Sequence, residues 1–283
     1  MLLEIMDKYI YICKRALGYL LGYLLFYEPF AYFYDIVGPL FPPAGFTSIH
    51  VPCAKIPMYS LVAGGLGKRD PVSLFFCVLL IVVSLLLGPL FCGRLCPAGA
   101  FAELLSGIVP SKYQIEWGKL VPILPLRYGF FAGFMLSPLL KLGLPCVYCN
   151  YYSLELFIKS LTLGRLATTA TALLASFILA FIVMGMFTKG GRGYCNLLCP
   201  VGTASMLLHT LGDKLPWTLG MRIQTAHCVG CGSCARACPM QAIAIKDKKA
   251  HINIQQCITC GKCAHTCPKK ALCYGTKEVQ HAE

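Results

Sequence analysis

Apolar positions in the first two thirds of the chain come in unbroken runs. They show neither the 3.6-residue stripe of an amphipathic helix nor the alternation of a half-buried strand. Three runs stand out: about 72 to 91 (VSLFFCVLLIVVSLLLGPLF), about 124 to 143 (LPLRYGFFAGFMLSPLLKLG) and about 166 to 187 (LATTATALLASFILAFIVMGMF). Each, as a helix, is long enough to cross a hydrocarbon core of roughly 30 Å. A fourth, residues 16–34 (ALGYLLGYLLFYEPFAYFY), is interrupted by Glu28 and Pro29, but Lys14 and Arg15 stand directly before it as an inner anchor. The pattern predicts an all-α polytopic membrane domain of about four transmembrane helices over residues 1–220. It would sit in the inner (cytoplasmic) membrane with both chain ends in the cytoplasm. Basic residues are commoner in the segments this topology places inside. The first residues carry scattered charges and no small-residue cleavage site, so no removable signal peptide is expected.

From about residue 221 the long runs give way to closely spaced cysteines. HCVGCGSCARACP begins at His227 and QCITCGKCAHTCP at Gln256, and each contains CxxCxxCxxxCP, the ligand spacing of a two-cluster bacterial ferredoxin. Three cysteines two residues apart wrap one face of a cubane, and the fourth, followed by proline, reaches the neighbouring cluster. The spacing therefore assigns Cys228, Cys231, Cys234 and Cys267 to a first [4Fe-4S] cluster and Cys257, Cys260, Cys263 and Cys238 to a second. Gly230, Gly232 and Gly261 let the backbone pass close to inorganic sulfide. Between the motifs, AIAIKDKKAHINI alternates around a charged turn and predicts a hairpin. Residues 221–283 thus read as a small α+β ferredoxin-like domain in the cytoplasm, held together largely by its clusters. Zinc sites rarely repeat this spacing, and disulfides do not persist in the cytoplasm.

The membrane part is duplicated. FCGRLCPAG at 91–99 matches YCNLLCPVG at 194–202, and PCAKIPMYSL from Pro52 matches PCVYCNYYSL from Pro145. Two parallel repeats follow, about 14–110 and about 120–212, related by an approximate two-fold along the membrane normal. Such an axis would bring Cys92 and Cys96 to Cys195 and Cys199 near the cytoplasmic surface, as an inner four-thiol set. Pro97 and Pro200 suit the first positions of helices, leaving Cys96 and Cys199 at positive helix ends. This set reads as a further iron-sulfur centre, with a redox-active thiol pair, a transient metal site or helix packing as alternatives. On the outer side, Cys53, Cys77, Cys146 and Cys149 form a second candidate set. It would be a metal cluster, a disulfide or thiol relay, or buried structural cysteine.

Composition changes the picture little. The chain is 57% hydrophobic and 13% charged, with 18 cysteines and a formal net charge of +13. The basic residues are spread over loops without an aromatic platform, so no nucleic-acid partner is expected; lipid anchoring and metal-bound thiolates account for the excess. No dinucleotide fingerprint follows a strand, and CVYCN at 146–150 lacks the last residue of a haem-attachment CxxCH. Electrons would come from partner subunits or quinone. Glu28, an acidic residue within an apolar run, is the candidate proton acceptor for quinol oxidation, with a hydrated surface turn as the alternative. His50 and His209 are read more readily as solvent-exposed than as ligands.

The paired CxxxCP motifs, Cys92/Cys96/Pro97 and Cys195/Cys199/Pro200, together with the ferredoxin repeats, resemble the NapH/NosR-type membrane iron-sulfur proteins over about residues 14 to 275. No flavin-attachment sequence of the longer NosR-type proteins is present, so the short NapH-like form is expected. The resemblance implies a respiratory electron-transfer protein. It would pass electrons between the two [4Fe-4S] clusters, centres in the membrane domain, and quinone or a periplasmic partner, as a possible quinol dehydrogenase subunit. The alternatives are a maturation factor reducing metal ions or disulfides for a periplasmic metalloenzyme, and a cluster-bearing linker subunit of a larger complex.

Overall fold

The computed structural model describes residues 2–27, 32–40, 53–64, 71–140, 148–164 and 171–277. They form two compact units. Unit 1 comprises Met1–Leu20, Ile81–Cys96 and Ala204–Glu283; unit 2 comprises Leu21–Leu80 and Pro97–Thr203. In chain order the helices are α1 (Leu2–Phe26), α2 (Tyr32–Val37), α3 (Lys55–Ala63), α4 (Pro71–Leu87), α5 (Pro97–Ser106), α6 (Trp117–Leu120) and α7 (Ile123–Leu136). They continue as α8 (Asn150–Leu163), α9 (Thr171–Phe177), α10 (Gly193–Leu197) and α11 (Pro200–Gly212). Phe91–Leu95 is a π-helical turn, and α9 runs on as a π-helical stretch, Ile178–Met186. The rest is β1 (Gly220–Ile223), α12 (Ser233–Ala237), β2 (Ile243–Lys246), β3 (Lys249–Ile252), α13 (Lys262–Thr266) and β4 (Leu272–Gly275).

The expected membrane spans are not found among the described residues. No helix among the described residues is long and apolar enough to cross a membrane, so the predicted polytopic inner-membrane domain is corrected. The apolar runs are interrupted before they reach the required length. The run from 72 ends as α4, 17 residues and about 26 Å long, because Gly88 turns to φ +78° ahead of Pro89. The run from 124 yields the 14-residue α7. The run from 166 yields 7 residues of α-helix and 9 of π-helix. Helix α1 has 25 residues but carries acidic and basic residues through its first half. Lys55, Arg127 and Arg192, which a loop position would leave at the surface, are buried.

In unit 1, β1 pairs antiparallel with β4 and β2 with β3. The expected hairpin is present: Lys246 pairs with Lys249, and Asp247 and Lys248 both take positive φ, as a two-residue type I′ turn requires. Met221, Ile223, Ile243, Ala250 and Leu272 make a small core to which Cys234 and Cys263 belong. So modest a core leaves the cysteine centres much of the stabilising. Tyr274 donates to the Leu87 carbonyl at 2.7 Å, and its ring lies under Arg94 at 5.3 Å.

Unit 2 is packed by aromatic rings. Phe101, Phe157, Phe177 and Phe181 form one cluster; Phe26, Phe33 and Phe76 form another. A polar strut runs through it. Arg192 donates to Glu103 at 2.6 Å, Ser106 donates to the Thr188 carbonyl at 2.8 Å, and Trp117 Nε1 donates to Thr188 Oγ1 at 2.7 Å. The guanidinium fits only because α5 has glycine at 99, where a Cβ would lie 1.8 Å from Arg192 Nη1.

Candidate iron-sulfur centres

Two pockets in unit 1 gather the motif cysteines: one is lined by Cys228, Cys231, Cys234 and Cys267, the other by Cys238, Cys257, Cys260 and Cys263. Each cavity therefore draws three thiols from one motif and the fourth from the other. The fourth cysteines are held alike: Ala242 N donates to Cys238 Sγ at 3.3 Å and Ala271 N to Cys267 Sγ at 3.4 Å. Ala250 N reaches Cys228 Sγ and Thr259 N reaches Cys257 Sγ, both at 3.4 Å. Amide donors of this kind favour thiolate sulfur. Burial works the other way, pushing Cys238 up to about 11 and Cys257 up to about 12, and raising Cys263. Cationic iron among these thiols would supply the charge that lets them ionise together. Among the described residues no three His, Cys, Asp or Glu side chains close on a point as a single metal ion would require. Three thiols from one CxxCxxCxxxCP motif and the fourth from the other is the ligand pattern of a two-cubane ferredoxin.

The first CxxxCP loop is seated against one of these motifs. A Cβ at Gly93 would lie 2.1 Å from the Ile258 carbonyl oxygen and 3.0 Å from Cys260 N, so the two backbones touch. Two tyrosines of α1 brace the contact: Tyr19 donates to the Gly93 carbonyl at 3.0 Å and Tyr11 to the Cys260 carbonyl at 3.1 Å. Tyr11 also stacks on His265. Thr259 stands where the first motif has Gly230, and takes the same left-handed backbone, φ +48° against +69°. His209 is buried, not exposed, with Nδ1 lacking a partner among the described residues and its pKa lowered by burial.

Unit 2 gathers a different group. Lys55, the first residue of α3, is 5% exposed and donates to Cys149 Sγ at 3.0 Å. Burial opposes charge on Lys55, but Cys149, Tyr194 and Cys199 facing it hold its pKa well above the usual lysine value. Cys53 is pushed up to about 12 by burial and the neighbouring Cys149; Cys199 is raised by burial, with Lys55 pulling it back. Tyr194 donates to the carbonyl of Tyr148, next to Cys149, which ties α10 to the start of α8. Arg192 Nη1 comes within 3.9 Å of Cys195 Sγ, and Arg127 donates to the Cys195 carbonyl at 3.1 Å.

Of the expected inner set, Cys92 and Cys96 belong to unit 1, and Cys195 and Cys199 to unit 2. Of the outer set, Cys53 and Cys149 meet at Lys55, while Cys77 is buried on α4 and burial alone raises its pKa. Cys146, Glu28 and His50 lie outside the described residues. The sequence reading missed Lys55, Arg127, Arg192 and Tyr194. The available signal was a lone cation in apolar surroundings, two residues after Cys53 or three before Cys195.

The geometry defines a two-cluster iron-sulfur protein, and comparison with known families agrees. Residues 220–268 match the family described as a 4Fe-4S dicluster domain, and residues 70–116 and 169–218, each containing a CxxxCP loop, match a 4Fe-4S binding domain. YccM of Escherichia coli, named as a candidate electron-transport protein, is 28% identical over 64% of this chain and 50% of its own length. Regulatory protein NosR of Pseudomonas aeruginosa is 28% identical over 54% of this chain and 20% of its own. The methylamine utilization ferredoxin-type protein MauN of Methylobacillus flagellatus is 28% identical over 54% and 48%. The chain thus spans half or less of these three relatives. No solved structure matches. The site and these matches agree on an iron-sulfur protein with two [4Fe-4S] clusters as its cofactors, similar to the ferredoxin-type electron-transfer proteins among these relatives.

Proposed function

We propose that the chain carries electrons between redox partners, through its ferredoxin-like domain and the first CxxxCP loop. When bound, the clusters supply reversible one-electron transfer. Cys228, Cys231, Cys234 and Cys267 hold one, and Cys257, Cys260, Cys263 and Cys238 hold the other. The observation that carries the reading is the backbone contact of Gly93 with Ile258 and Cys260. It gives the loop bearing Cys92 and Cys96 a direct junction with the ligand segment of the second cavity. Tyr11 and Tyr19 keep that junction closed by their hydrogen bonds to both loops. The likeness to YccM, an electron-transport protein by name, and to the ferredoxin-type MauN supports the reading. A protein partner exchanges electrons at the CxxxCP end; quinone is the small-molecule alternative there.

The test follows reoxidation of the dithionite-reduced full chain by two acceptors separately, a soluble quinone analogue and a small haem protein. In Gly93→Ala the added methyl pushes the loop off Ile258, and reoxidation slows by about tenfold or more with iron content unchanged. Equal rates for wild type and variant at equal iron would sink the proposal. Whichever acceptor responds to the substitution identifies the class of partner.

A further inference from the structure

Three thiols of unit 2 stand immediately before helices: Cys53 two residues ahead of α3, Cys149 at the cap of α8, and Cys199 directly before Pro200 of α11. Backbone N–H groups at such ends favour negative charge. Gly202 N already donates to Cys199 Sγ at 3.4 Å. Among the described residues the only hydrogen-bond acceptor of the buried Lys55 ammonium is the Cys149 sulfur. The Tyr194 bond to Tyr148 ties α10 to the start of α8, Cys199 lies near enough to Lys55, Cys149 and Cys195 to interact electrostatically with each, and Arg192 and Arg127 add buried positive charge at Cys195. Glu103 answers Arg192. No acidic side chain among the described residues pairs with Lys55. A buried ammonium faced by thiols and the Tyr194 phenol, with no carboxylate among the described residues beside it, calls for an anionic occupant, since an uncompensated buried charge is costly.

We propose that the thiols of Cys53, Cys149, Cys195 and Cys199, gathered about the Lys55 ammonium, hold an iron-sulfur cluster in addition to the two of the ferredoxin-like domain. A thiolate-ligated cluster is anionic, so the buried Lys55 and the three helix ends supply its counter-charge. The set regroups cysteines that sequence alone divides between two motif pairs. It lies wholly within unit 2, and it stands whether or not electrons leave by Gly93.

Iron and acid-labile sulfide per chain, with electron paramagnetic resonance after reduction, test it on the full chain reconstituted anaerobically with ferrous iron and sulfide. Wild type exceeds the roughly eight irons of two cubanes and shows a third signal. Cys53→Ser and Cys149→Ser fall back to about eight and lose only that signal. Lys55→Met keeps the iron, but the third centre becomes harder to reduce, because the ammonium no longer favours its more negative state. Wild type at about eight irons overturns the proposal regardless of how any variant folds. So does a third signal that survives Cys149→Ser, a mononuclear metal in its place, or a Cys53–Cys149 disulfide. The Gly93→Ala kinetics are untouched by these results, so either reading can fail alone.

Discussion

The two CxxxCP loops close in the same way and meet different chemistry. In each, the second cysteine's N–H bonds back five residues, Cys96 to the Phe91 carbonyl at 2.8 Å and Cys199 to that of Tyr194 at 3.0 Å, and a proline-led helix follows. The next positions diverge. The first copy has Gly93, flat enough to lie on the Cys260 loop; the second has Asn196, buried in unit 2. Duplication thus preserved the backbone device that presents two thiols at a helix start, while the residues between them selected the neighbour. Motif identity fixes how the sulfurs are presented and leaves open what surrounds them.

The glycines three residues after each second cysteine give the sharpest contrast. At Gly99 a methyl would strike the Arg192 guanidinium, which is fully buried and held by Glu103. Gly99→Ala should therefore break that pair and cost about 3–5 kcal/mol, read as a lower denaturation midpoint. A midpoint unchanged from wild type would show that the guanidinium has room to move. At Gly202 the same methyl meets Cys195 O at 3.4 Å, an ordinary contact. Gly202→Ala should be neutral or stabilise by up to about 1 kcal/mol through helix propensity, and a large loss would mean that the two helix starts are crowded alike.

The smallest effect concerns the strand-like contact leading into the second copy, where Glu116 bonds to Lys119 and Lys189, each at 2.6 Å. These bonds lower its pKa to about 2. A carboxylate depressed on folding contributes stability that is present above its unfolded pKa, near 4.3, and lost as pH falls through the folded value. Wild type should therefore lose a little stability between about pH 4 and pH 2 that Glu116→Gln does not. Because Lys119 is exposed and Glu116 and Lys189 only half-buried, the difference is small, and parallel acid titrations of the two proteins would remove the assignment.

Much of unit 1 is legible in the sequence, because cubane ligation demands a rigid spacing and a two-residue turn demands positive φ. Thr259 is an exception. Aligning CVGC with CITC does not reveal that a β-branched residue adopts the glycine's conformation. The apolar runs misled for a physical reason: hydropathy sums along the chain and is blind to where Gly88 ends a helix, or to Arg127 and Arg192 turning inward to carbonyls and carboxylate. Lys55 was legible as a charge but not as a buried one, since its sulfur partner is 94 positions away. Long-range contacts of this kind leave no local pattern.

The exchange of fourth cysteines between the two cavities of unit 1 makes maturation there a joint event. A chain nicked at Asp247, in the turn between β2 and β3, would leave each fragment with three sulfurs for its own cavity and one stranded sulfur belonging to its neighbour. Neither piece could be loaded alone, so the domain is indivisible, and iron delivery must find both halves already embraced.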